Sequence, residues 1–243
     1  MTEVATAPEQ VAAGAPTTEE EARELATRWA NEQAARLTER VRGYLASRNG
    51  QSNGGLAPHI GTPTTYEPTG VPYVAFDVTA TSPVQFIGQP PYLPSKIIAA
   101  GDFAFLVAYI FTNPFVDFQA GWAVPASVQL GGLPWRMTLD QANLTTGGVT
   151  RLVAAGTFGS PALPVTPVVF ALPTPNPGAD PWLIEANVTV YVDVPAKPYA
   201  AFATSFFDID NDPGFPPFPF LPPIPPEGSG WRYDLPNRYL IYS

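Results

Sequence analysis

The chain has 243 residues, 45% hydrophobic and 14% charged, with a net charge of −9 and no cysteine. That length and apolar content allow one large or two small domains with a sizeable core. The acidic balance opposes non-specific nucleic-acid binding, and the lack of cysteine removes disulfides, zinc–thiolate and iron–sulfur sites and thiol nucleophiles.

Proline is the outlier of the composition, at 31 residues against a usual share of about 5%. It fixes φ and removes a backbone donor, so a mostly helical protein is excluded. Residues 1–17 are small, polar and without period, and read as a disordered tail. They carry neither a basic leader nor a long apolar stretch, so no Sec-type signal is expected and the cytoplasm is the default compartment.

Residues 18–48 form the one convincing helix. Thr18 and Glu21 have capping-box spacing, and Glu19, Glu20 and Glu21 suit the positive end of the helix dipole. Six of the twelve basic residues lie between Arg23 and Arg48. Ala22, Leu25, Ala26, Trp29, Leu37, Val41, Tyr44 and Leu45 fall on one apolar stripe. The stripe is expected to dock on the rest of the protein or on a second copy. An interfacial membrane helix is the competing reading, weakened by Glu24, Glu32 and Glu39 on the polar side.

Residues 49–72 read as a Gly/Pro/Ser/Thr linker. It holds the only histidine, His59, which in a linker lacks the scaffold that a triad or a metal cage requires.

Residues 73–208 read as the β domain. Expected strands are Tyr73–Thr81, Ser95–Ala99, Phe103–Thr112, Ser127–Leu130, Trp135–Leu144, Arg151–Phe158, Val165–Leu172, Leu183–Val194 and Ala200–Phe207. The run Phe103–Phe111 is uncharged and ends at Thr112-Asn113-Pro114. It is far short of the roughly 20 apolar residues of a membrane span. It reads instead as the central strand, buried on both faces and pairing with or facing Leu183–Val194. Alternation in Glu185–Asp193 and from Trp135 to Leu139 marks strands with one wet face, hence antiparallel sheets. From Ile97 to Phe207, a long apolar strand, a Trp135-bearing strand and the pair around Val188 and Ala203 resemble an immunoglobulin-like sandwich, without the Cys…Trp…Cys spacing of true immunoglobulin domains. The expected class is therefore mainly β: an immunoglobulin-like antiparallel β-sandwich with one N-terminal α-helix and a Pro-rich C-terminal extension.

Residues 209–230 are low in complexity, with eight prolines from Pro213 to Pro226 and Phe215, Phe218, Phe220 and Leu221 between them. Polyproline II is their natural conformation, and the bulky side chains imply docking. Just upstream, Asp208, Asp210 and Asp212 alternate as carboxylates of a calcium loop do. An EF-hand is excluded, because Pro213 and Pro219 occupy its sixth and twelfth positions. A simpler calcium site and an acidic turn remain the alternatives. Residues 231–243 are expected to end in a strand, Arg238–Tyr242, with Trp231 and Tyr239 as contact aromatics.

No pair of carboxylates has glycosidase spacing, and there is neither a P-loop nor a GxGxxG motif. The expected function is a non-catalytic structural or interaction protein. It would self-assemble, or dock another protein, through Leu25, Trp29, Leu37 and Val41 of the helix and through Phe215, Phe218, Phe220, Leu221, Trp231 and Tyr239. A calcium-assisted carbohydrate- or surface-binding module is the first alternative, and a carboxylate-based enzyme with an inter-sheet pocket the second. No nucleic-acid partner and no transmembrane segment are expected.

Overall fold

The computed structural model describes residues 16–49, 76–88, 90–112, 126–160, 163–195, 200–202, 204–207, 232–234 and 237–243. Two sheets pack face to face around one core, and a long helix lies on the outside of one of them. The linker, His59 and the Pro/Phe-rich segment lie outside the described residues.

Helix α1 spans Glu19–Asn49. Its start is the reciprocal cap read from the sequence. Thr18 Oγ1 accepts from the Glu21 N–H at 3.2 Å, and Glu21 Oε2 accepts from the Thr18 N–H at 3.2 Å and the Thr17 N–H at 2.8 Å.

Sheet A is built around β4 (Ala104–Thr112), with every residue buried. On one side β4 pairs antiparallel with β7 (Val165–Leu172). On the other it pairs with β1 (Phe76–Ala80) and then β2 (Val84–Gln85). The pairing Ala80↔Ala108 gives way to Val84↔Phe105, so Thr81–Pro83 stand opposite only Leu106 and Val107. This is a β-bulge, and it accommodates Pro83 where no ladder N–H is required. Thr81 holds it: its N–H donates to the Val107 carbonyl at 2.9 Å.

The two faces of β4 serve two layers. Ala104, Leu106, Ala108 and Ile110 enter the inter-sheet core. Phe105, Val107, Tyr109 and Phe111 meet α1. The expectation of a strand buried on both faces thus holds, with the helix as the second cover. β4 faces the other sheet rather than pairing with it.

Sheet B has the order β3 (Ile97–Ala99), β12 (Asn237–Tyr242), β8 (Trp182–Val192), β5 (Pro134–Asn143) and β6 (Val149–Thr157). β9 (Ala200–Phe202) also pairs with β8. Trp135, Met137 and Leu139 of β5, alternate residues Ile184–Val192 of β8, and Tyr239 and Ile241 of β12 point into the core. Most pairs are antiparallel, as expected, but β3–β12 is parallel, as is the pairing of β1 with β10 (Thr204–Phe207).

Two expectations are corrected, and the expected strand Arg238–Tyr242 is found within β12. Ser127–Leu130 lies in a short helix, α2 (Ala126–Leu130), not in a strand. Ser127 and Leu130 are both buried while Val128 is exposed, a three-residue rather than a two-residue period. Ala200–Phe207 is two strands, because the chain leaves sheet B after β9 and enters sheet A as β10 (Thr204–Phe207). The C-terminal part likewise contributes to both sheets, as β11 (Arg232–Asp234) in sheet A and β12 in sheet B.

Candidate functional site

The residues singled out from the sequence are placed as follows. Leu37 is fully buried against Val107, Tyr109 and Phe111 of sheet A, and Leu25 and Trp29 pack on the same outer face. Trp29 Nε1 also donates to the Tyr92 carbonyl at 3.2 Å. These contacts lie within one chain. Tyr239 is buried in the inter-sheet core. Phe215, Phe218, Phe220, Leu221, Trp231, Asp208, Asp210, Asp212 and the side chain of Val41 lie outside the described residues. Among the described residues no group of His, Asp and Glu side chains is placed to hold a metal ion, and no helix is long and apolar enough to cross a membrane.

The two sheets have different exteriors. That of sheet A is covered by α1. That of sheet B carries exposed ion pairs: Arg136 with Asp193 at 3.2 Å, Arg151 with Asp140, and Arg238 with Glu185 at 2.9 Å. Pairs this exposed add little to stability, because water screens them. Their effect is to keep the centre of the face wetted.

The rim of sheet B is different. β6 pairs with β5 along its whole length and has no second partner among the described residues. It runs for nine residues with no proline, and its one charge, Arg151, is already bonded to Asp140. Val149 and Val153 are 76% and 59% exposed. Natural edge strands are usually blunted by lysine, proline, a bulge or a covering segment. Within β6 there is no lysine, proline or bulge, and Arg151 is its single charged residue. Its glycine, Gly156, lies beneath the Trp135 ring of the neighbouring strand.

Beside the start of β6 the two sheets part around a cavity of about 220 Å³. Gln141 and Tyr239 line it together with Trp182, Ile184 and Ile241, and Pro173 and Pro175 close the sheet A side. Gln141 Nε2 donates to the Tyr239 hydroxyl, while Gln141 Oε1 is buried without a partner. Burial pushes the Tyr239 hydroxyl well above the usual tyrosine range, and its bond to Gln141 lowers it only in part. An unpaired buried amide oxygen costs about 1–3 kcal/mol.

Both lips of the cavity are pinned. On one, Asn143 Oδ1 accepts from the N–H groups of Thr145 and Thr146, each at 3.0 Å. On the other, Thr174 Oγ1 donates to the Asp102 carbonyl at 2.9 Å, and its own carbonyl accepts from Gly101 N at 2.8 Å. The described lining holds amide, hydroxyl, indole and aliphatic groups and no carboxylate or cation. Such a lining binds by hydrogen bonds and shape and supplies no acid–base pair.

Gln141 was the residue that sequence reasoning passed over. The signal was present: the inward alternation Trp135, Met137, Leu139 puts the next inward position at Gln141, a polar side chain in an apolar series.

Comparison of the chain with protein-family models, with curated proteins and with solved structures found no match.

Proposed function

We propose that this is a non-catalytic interaction protein that assembles with a second copy of itself through the edge of sheet B. The observation behind the reading is β6: nine residues, pairing on one side only among the described residues, no lysine or proline, a single charge already paired with Asp140, and outward valines at 149 and 153. The helix stripe, the other candidate, is occupied by the chain's own sheet A.

A second copy suits this edge because β6 is centred on Val153. Antiparallel pairing about that residue sets Val153 against its counterpart, Arg151 against Ala155 and Val149 against Thr157. No like charges are opposed, and the β-branched pair at the centre favours the register. Sheet B would then continue across a two-fold axis, the commonest symmetry of homo-oligomers. The immunoglobulin-like reading enters here as an analogy of architecture, carried by two facing sheets with Trp135 in the core. It lends no function by itself.

Light scattering coupled to size exclusion tests the assembly. The wild type is expected to form a dimer whose population grows with concentration, and Val153→Lys, on the wet face, to shift it to monomer without loss of folding. A wild type that stays monomeric at millimolar concentration would refute it. Assembly that survives Val153→Lys and disappears on removal of residues 213–226 would move the interface to the Pro/Phe-rich segment.

A further inference from the structure

We infer that an apolar row on the exterior of sheet B is the docking surface for the chain's own Pro/Phe-rich segment, Pro213–Pro226. The inference concerns one chain and does not depend on whether two copies pair.

The row crosses four strands at one end of the face. Ile97 of β3 stands beside Leu240 of β12, and Leu240 beside Leu183 of β8. Leu144, one residue past β5, donates its N–H to the Leu183 carbonyl at 2.8 Å and so continues the row. The neighbours of these residues in sequence, Ile98, Ile184, Tyr239 and Ile241, enter the core, which turns the row outward. Ile97 and Leu144 are 56% and 51% exposed, Leu183 and Leu240 are half-buried, and Tyr242, two residues on from Leu240, is 44% exposed. Neighbouring strands lie about 5 Å apart, so these side chains form one patch rather than scattered contacts. The exposed valines of β6, by contrast, are separated by Arg151.

Length and anchorage select the occupant. β10 ends at Phe207, β11 begins at Arg232, and these two residues pair, so both ends of residues 208–231 are held side by side. The midpoint of that stretch falls between Pro219 and Phe220, so Phe218, Phe220 and Leu221 are the bulky residues with the longest reach. About a dozen residues of polyproline II, at about 3.1 Å each, reach roughly 37 Å. The row is nearer than that. Eight peptide steps join Arg232 to Leu240, which holds the two within about 29 Å of each other.

The chemistry of segment and surface matches. Pro213–Pro226 carries no charge and sets bulky apolar side chains among eight prolines. Such a segment gains nothing from the ion pairs at the centre of the face, whereas the row offers aliphatic surface with the Tyr242 ring beside it. Proline-rich segments dock on apolar and aromatic surfaces at low entropic cost, because their conformation is already restricted. A tether supplies an effective concentration in the millimolar range, so a contact too small to join separate molecules suffices within one chain. That favours the chain's own segment over a second copy's.

Paramagnetic relaxation NMR on the full chain tests this. The protein has no cysteine, so Pro219→Cys places a single nitroxide at the middle of the segment. At a concentration too low for copies to pair, the methyl signals of Ile97, Leu144, Leu183 and Leu240 are expected to lose at least about half their intensity. Those of Leu37, under the helix on sheet A, and of Leu130, in the core, are expected to lose much less. Ile97→Asn combined with Leu144→Asn, both at exposed positions, is expected to restore the Leu183 and Leu240 signals. Leu144→Asn alone serves if the pair fails to fold. Equal attenuation of all these methyl groups, attenuation centred elsewhere, or attenuation that the substitutions leave unchanged overturns the inference. So does attenuation that appears when nitroxide-labelled, unenriched protein is mixed with isotope-enriched, unlabelled protein, since the occupant is then a second copy.

Discussion

Gln85 holds Ala99 by both ends of one side-chain amide: Nε2 donates to the Ala99 carbonyl at 2.9 Å, and Oε1 accepts from the Ala99 N–H at 2.8 Å. Gln85 belongs to sheet A and Ala99 to sheet B. A side chain thus makes the two bonds that a neighbouring strand would otherwise make, across the gap where the sheets diverge. Gln85→Leu keeps the bulk and removes both bonds, leaving the half-buried Ala99 backbone groups unpaired. The expected loss is about 1–3 kcal/mol. Urea unfolding checks it, with the midpoint falling and the slope unchanged.

Gly156 leaves no room for a methyl group. A Cβ there would lie 2.6 Å from Trp135 Cζ2. Trp135 is buried and cannot yield without disturbing the core. Gly156→Ala is expected to cost about 1–3 kcal/mol, as overpacking does, and to shift the tryptophan emission. Gly148→Ala is the control. Its nearest contact is Thr146 Oγ1 at 3.6 Å, ordinary van der Waals distance, and its effect is expected to stay within about 0.5 kcal/mol.

The helix docks through its smallest residues. Ala22, Ala26, Ala30 and Ala34, each four apart, are all buried, facing the bulky Phe105, Tyr109 and Phe111 of β4. Short side chains let the helix backbone lie close over long ones. Ala26→Leu is therefore expected to destabilise by about 1–3 kcal/mol, although leucine forms helix nearly as well as alanine. Native-state hydrogen exchange should show the loss concentrated in amides 22–39. Leu37→Ala opens a cavity in the same interface and is expected to cost about 2–5 kcal/mol.

The helix cap titrates. The Thr17 N–H, followed by the Thr17 hydroxyl and the Thr18 N–H, holds the Glu21 carboxyl below its ordinary value of 4.5. A depressed folded pKa stabilises above the unfolded value and loses that stabilisation as pH falls through the folded value. Stability is thus expected to drop as the solution is acidified below pH 4.5. Part of that drop should vanish in Glu21→Gln, which has no charge to lose. Denaturant midpoints of the two proteins across the acid range provide the check.

Local rules made much of this fold legible. Thr18 and Glu21 announced the helix start, and nine uncharged residues announced β4. Alternation in Glu185–Asp193 placed the valines of β8 inward. What stayed hidden depends on contacts distant in sequence. The bulge at Thr81–Pro83 exists because Asn237, 156 positions away, donates to the Thr81 carbonyl at 2.7 Å and because Val107 accepts from Thr81 N. The strands that change sheet, the parallel β3–β12 pair and the cavity all need partners that no local window contains. Leu25, Trp29 and Leu37 were recognisable as a contact stripe, but whether the contact was with the same chain or another was not written in their spacing.

The place of β12 sets the order in which the protein can be completed. β3 has only β12 as its partner among the described residues, and β8 holds β12 on its other side. Sheet B therefore keeps a slot open until Asn237–Tyr242 has left the ribosome. Until then the nascent chain exposes one edge of β8 and the unpaired edge of β3. Incomplete chains of this kind are the species most prone to aggregation. Chains that stall after β8 are thus expected to depend on chaperones, whereas those that have released β12 can close the sheet.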